Sequence, residues 1–95
     1  MNRKYEIMTI SKISLGEAGA KKVLGTVQTH IESFEGKLGE IKPWGKRGFA
    51  YEIKHDTEGY YDVFEFEMDK KHLETLKSRL NLTDGLVRYL ITALE

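Results

Sequence analysis

From Arg3 to Ile10 the chain alternates, with Tyr5, Ile7 and Thr9 on one side of an extended backbone and Glu6, Met8 and Ile10 on the other. The segment predicts a strand, and apolar side chains on both sides mean that neither face is simply solvated. The spacing then changes. Ala20, Val23, Leu24, Val27, Ile31 and Phe34 recur at steps of three and four, the stripe of an amphipathic helix. Ser14 and Glu17 have the spacing of a capping box at its start, and Gly36 stands where a glycine would close its end. Gly25 inside the stripe costs about 1 kcal/mol relative to alanine, so a close approach to the sheet is expected there.

Residues 38–54 return to extended character but are interrupted by Pro43, Gly45 and Gly48. Proline supplies no N–H to a ladder, so this strand is expected to be bent, bulged or at a sheet edge. Asp56-Thr57-Glu58-Gly59 predicts a turn and Tyr60–Met68 the second arm of a hairpin. Along that arm Tyr60, Asp62, Phe64, Phe66 and Met68 share one face, and Tyr61, Val63, Glu65 and Glu67 the other. Asp69 is placed to cap a second helix carrying Leu73, Leu76 and Leu80. A turn over Asn81–Gly85 and a last strand over Leu86–Leu94 complete the chain.

Strand, helix, strand, strand, helix, strand is the split βαβ, or ferredoxin-like, order. It implies an α+β fold, with a four-stranded antiparallel sheet carrying both helices on one face. A chain of 95 residues has material for one core, so a single domain over residues 1–95 is expected. The helix-facing set should then hold Tyr5, Ile7, Phe64, Phe66, Tyr89 and Ile91. The opposite face should hold Met8, Ile10, Tyr61, Val63 and Leu90, with Arg88 among them. A free face this apolar points to a protein-binding surface.

Charge changes the picture. Fifteen basic and fifteen acidic residues give a formal net charge of zero. A protein that neutralises phosphates unaided shows a basic excess or a basic stripe, so any nucleic-acid contact must be local or shared with a basic partner. The absence of cysteine excludes a disulfide framework and a thiolate zinc site. No apolar run approaches the roughly 20 residues of a membrane helix, and the N-terminus lacks a signal-peptide core, so a cytosolic protein is expected.

Catalytic signals are thin. His30, His55 and His72 are scattered and form no metal-binding motif, and Glu65 and Glu67 share a face only as strand alternation provides. With no nucleophile motif or phosphate-binding loop, neither an enzyme nor a bound metal or cofactor is expected. Two stretches imitate RNA-binding modules. Arg47-Gly48-Phe49-Ala50-Tyr51 begins like the aromatic strand motif of an RNA-recognition motif, but a hairpin follows where that module has a helix. Gly45-Lys46-Arg47-Gly48 matches the G-x-x-G of a KH domain, yet it interrupts a strand instead of joining two helices.

A more specific likeness runs the length of the chain. Arg3-Lys4-Tyr5-Glu6-Ile7, then Trp44-Gly45-Lys46-Arg47 with Ala50-Tyr51-x-Ile53, then Asp84-x-Leu86-Val87-Arg88 occur in one order and spacing. Together they resemble the bacterial small-subunit ribosomal protein S-six family. The resemblance implies a non-catalytic constituent of the small ribosomal subunit. Such a protein binds the central domain of small-subunit rRNA as a heterodimer with the basic ribosomal protein S-eighteen, which would supply much of the missing positive charge. Arg3, Lys46, Arg47 and Arg88, the basic residues inside these motifs, are then the candidate RNA contacts. Phe49, Tyr51 and Ile53 are expected to pack. Met8, Ile10, Tyr61 and Val63 are the candidate partner contacts, on the open face or along an adjoining strand edge. Two departures stand out. Glu52 occupies a position where the family commonly has proline, and the sequence stops at Glu95 without the charged extension many members carry, so no tail-mediated contact is expected. The competing reading is a ferredoxin-like ligand-binding or self-associating regulatory domain, because this fold hosts many functions.

Overall fold

The computed structural model describes residues 2–53 and 56–94; the side chains of residues 43, 46–47, 49–53 and 56–57 lie outside the description. Four strands and two helices follow in the expected order. They are β1 (Asn2–Lys12), α1 (Gly16–Glu32), β2 (Lys37–Ile53), β3 (Asp56–Asp69), α2 (Leu73–Asn81) and β4 (Leu86–Ala93). The strands form one antiparallel sheet in the order β2-β3-β1-β4. Beneath the helices the sheet is tiled in transverse rows. Ile91, Ile7, Phe64 and Ile41 lie opposite one another across the four strands. Ala93, Tyr5, Phe66 and Leu38 make the next row. Val23, Leu24, Val27 and Ile31 of α1 and Leu76 and Leu80 of α2 close over them, with Tyr89 and Ile91 packed against the same cluster. The helix-facing set read from alternation is therefore the core.

Local details depart from the sequence reading in four places. Ser14 caps nothing. It is drawn into a 3₁₀ turn over Ile13–Leu15, and α1 begins at Gly16 with no side-chain cap. The tight passage from that turn into the helix puts Gly16 at φ +70°, a conformation that favours glycine.

At the other end of α1 the left-handed residue is Glu35, at φ +60°, and Gly36 serves a different purpose. Its N–H donates to the Ile31 carbonyl at 3.1 Å, and a Cβ there would sit 2.6 Å from Ile31 Cγ2 and 3.1 Å from the Glu67 carbonyl oxygen. Gly36 is required by packing.

Gly25, expected to approach the sheet, instead faces open space with nothing within 4 Å of a built Cβ. Lastly, Asp56–Gly59 is strand and not turn. The two arms pair as far as Ile53 opposite Asp56, and the turn itself lies outside the described residues. Since β1 ends opposite Gly59, the outer part of this hairpin pairs only with itself.

The remaining signals hold. The Asp69 carboxylate accepts from the Lys71 N–H at 3.0 Å, capping the 3₁₀ turn (Lys70–His72) that leads into α2. That hydrogen bond holds its carboxyl below the usual value. The interruption around Pro43 is a register shift between Pro43 and Gly45 on an edge strand.

Candidate RNA and partner interface

The same register that builds the core builds a second surface on the sheet's other side. Residues directly opposite one another on antiparallel strands share a face. Met8 lies opposite Leu90 on β4 and Val63 on β3, and Val63 lies opposite Lys42 on β2. One step along, Ile10 lies opposite Arg88 and Tyr61, and Tyr61 opposite Gly45. The six residues assigned to the open face by alternation are thus one contiguous patch. Two of them are less accessible than a free face implies. Ile10 is 3% exposed and Val63 only 7%. Both lie on the central strands, flanked in their rows and between rows by Met8, Tyr61 and Arg88. Their burial corrects the expectation that they stand outside the core. Serine at Val63 would destabilise the fold as well as a complex, so Met8, Tyr61 and Leu90 are the informative positions.

Sequence reasoning missed Trp44 as part of this patch. At the register shift between Pro43 and Gly45, Gly45 takes the place opposite Tyr61, and the indole stacks against Tyr61, rings 9° from parallel with centroids 6.3 Å apart. It remains 48% exposed. Alternation along β2 was the signal that could have found it, since Trp44 is two residues from Lys42, which lies opposite Val63 on this face.

Beyond the Leu90–Met8–Val63 row the face becomes charged. Glu6 lies directly opposite Glu65, with Thr92 on the far side of Glu6. In the next row Glu67 lies between Lys4 and Lys37.

The candidate RNA contacts do not converge on one point. Register sets Lys46 opposite Tyr60 and Arg47 opposite Gly59, at the hairpin end of the sheet. Arg88 lies near that end on the opposite edge strand, exposed, in the row of Ile10 and Tyr61. Arg3 lies opposite Met68. That is about nine residues from Gly59 along β3, or roughly 30 Å at ~3.3 Å per residue. Any single contact track that uses all four must run the length of the sheet. Phe49, Tyr51, Ile53 and the departure at Glu52 have side chains outside the described residues.

The histidines find ordinary settings. His72 stacks on Phe34 at 5.0 Å, while the Arg79 guanidinium lies 4.6 Å from the centre of the Phe34 ring and donates to Ser33 Oγ at 3.0 Å. This fastens the end of α1 to α2. His30 is half-buried on α1, and His55 lies outside the described residues.

The family model described as ribosomal protein S6 matches residues 4–93, nearly the whole chain. The chain belongs to that family. Among its relatives, the small ribosomal subunit protein bS6 of Dictyoglomus turgidum is 40% identical over 93 residues, covering 98% of this chain and 96% of that protein. The protein of the same name from Symbiobacterium thermophilum is 39% identical over 89 residues, covering 94% of each. The crystal structure of 30S ribosomal protein S6 from Thermotoga maritima superposes with a TM-score of 0.89 at 31% identity, covering 98% of this chain and 88% of that one. The C-terminal domain of the Mycobacterium tuberculosis MgtC protein also superposes, with a TM-score of 0.63 at 18% identity, which shows a shared fold alone. This S6 family is the S-six family that the motifs pointed to, and it is not a family of enzymes.

Proposed function

We propose that this chain, acting as one domain over residues 1–95, is a structural constituent of the bacterial small ribosomal subunit. There it binds the central domain of small-subunit rRNA together with the basic protein S-eighteen, at the cytoplasmic ribosome. Family membership across residues 4–93 carries the reading. Two properties of the molecule support the need for a partner. Its formal net charge is zero, whereas RNA affinity rests on phosphate neutralisation. The face of the sheet away from the helices exposes a contiguous apolar patch, the kind of surface that marks an association site. In this reading Lys46, Arg47, Arg88 and Arg3 contact phosphates, which position a protein without reading sequence. Met8, Ile10, Tyr61 and Val63 belong to the partner surface.

Filter binding to a central-domain rRNA fragment, with and without the purified partner, tests the proposal. Binding by the isolated chain should be weak and should strengthen greatly when the partner is added. Tight binding that is the same with and without it would overturn the heterodimer reading.

A further inference from the structure

Exposed apolar area on the open face is concentrated at its two edges, at Trp44 on β2 and at Leu90 on β4, which is 58% exposed. Between them lie Tyr61, Met8 and the nearly closed Val63 and Ile10, so the patch is a stripe across all four strands with large side chains at both ends. Trp and Tyr are the side chains that most often dominate association free energy, and an indole held flat against a phenol ring is already ordered before binding.

The charges beside the stripe indicate what covers it. Glu67 is flanked in its row by Lys4 and Lys37. Glu6 and Glu65 face each other directly, at a Cβ separation of about 4.5–5.5 Å, where like charges destabilise a sheet. Neither has an ion-pair partner among the described residues. A phosphate backbone crossing here would meet two uncompensated carboxylates, whereas a lysine or arginine would relieve their repulsion. The aliphatic middle of the stripe, Met8, Val63 and Leu90, likewise suits protein side chains better than stacked bases.

We propose that Trp44, stacked on Tyr61, anchors the basic protein partner on this face. The bound segment crosses the sheet from Trp44 to Leu90 and carries cationic side chains over Glu6 and Glu65. The inference rests on the reading that a basic protein partner docks here, and it adds the anchor, the path and the charge pairing.

Trp44 is the only tryptophan of the chain, which makes the test direct. The full chain labelled with 5-fluorotryptophan is titrated with the purified partner and, separately, with oligouridylate, following the fluorine resonance. Affinities for the partner are measured calorimetrically for the parent, Trp44→Ala, Leu90→Ala and the Glu6→Gln/Glu65→Gln pair, alongside thermal melts. The partner should shift the resonance, and Trp44→Ala should weaken partner binding more than tenfold. Leu90→Ala should weaken it several-fold, and the double glutamine variant should weaken it and flatten its salt dependence.

If the parent binds the partner but the resonance does not move and Trp44→Ala binds equally well, the anchor is wrong while the heterodimer reading survives. If the parent does not bind at all, the heterodimer reading itself fails. A shift produced by oligouridylate alone, with partner affinity untouched by Trp44→Ala, would make the occupant RNA and overturn the proposal. Should Trp44→Ala not fold, Leu90→Ala and the fluorine titration of the parent still decide, since an unmoved resonance with saturating partner overturns the inference.

Discussion

Asp62 is the residue at which this fold tolerates an unfavourable placement. It points to the helix side of β3, opposite Thr9, and is only 9% exposed. Its surroundings are polar but poorly coupled: Thr9 Oγ1 donates to the Asp62 main-chain carbonyl at 3.5 Å, and the neighbouring Ser11 hydroxyl is buried with no hydrogen-bond partner among the described residues. Burial pushes the Asp62 carboxyl above its ordinary value of 3.8. The sign of the linkage follows. The folded state holds the proton more tightly than the unfolded chain, so this group's contribution is most favourable below pH 3.8. It diminishes as pH rises through the elevated folded value and stays diminished at neutral pH. Asp62→Asn should therefore raise the melting temperature at pH 7, and the difference from the parent should shrink as pH falls below about 3.8. Melts over a pH series check this; a difference that does not vary with pH would exclude ionisation as the cause.

At the scale of one element, α1 shows how a sequence penalty and its structural reason can part company. A glycine inside a helix invites the inference that something lies too close for a side chain. Gly36, beyond the helix end, fits that inference, for Ile31 and the Glu67 carbonyl occupy the space. Gly25 does not. Its Cβ position is open, its main-chain carbonyl accepts from Thr29 Oγ1 at 2.9 Å, and it lies on a regular turn of the helix. Gly25→Ala should thus recover about 1 kcal/mol of helix propensity with no steric penalty. For a chain of this size that corresponds to a rise of about 4–8 °C in melting temperature, measurable by calorimetry. A fall would mean that position 25 is closed by a contact that forms only on assembly or in solution.

For the molecule as a whole, the proposed function asks how a neutral protein would hold RNA. Lys46 and Arg47 lie at one end of the sheet and Arg3 about 30 Å away at the other. Sites so far apart act independently. In the proposed complex with S-eighteen, Lys46→Ala/Arg47→Ala should flatten the dependence of log affinity on log salt by about 2. Arg3→Ala should flatten it by about 1, and the triple variant by their sum, since each lost phosphate contact removes about 1 from the slope. Salt titrations of filter binding check the additivity. If Arg3→Ala leaves the slope unchanged, the RNA track is confined to the hairpin end.

What the sequence determined by itself was everything that a local period encodes. Tyr5, Ile7, Phe64 and Phe66 could be assigned to the core, and Met8, Tyr61 and Leu90 to the other face, because strand alternation has period two and each strand buries one side. Asp69 could be read as a cap because its bond spans two residues. Tertiary structure decided what depends on neighbours distant in the chain. Val63 and Ile10 are closed off by the strands beside them, although the alternation that placed them was right. Trp44 meets Tyr61 only once β2 and β3 pair, with β2 irregular at Pro43/Gly45 so that Gly45 takes the place opposite Tyr61. The pairing of Glu6 with Glu65 has no signature within either strand, since it arises only when β1 and β3 come into register across 59 positions of sequence.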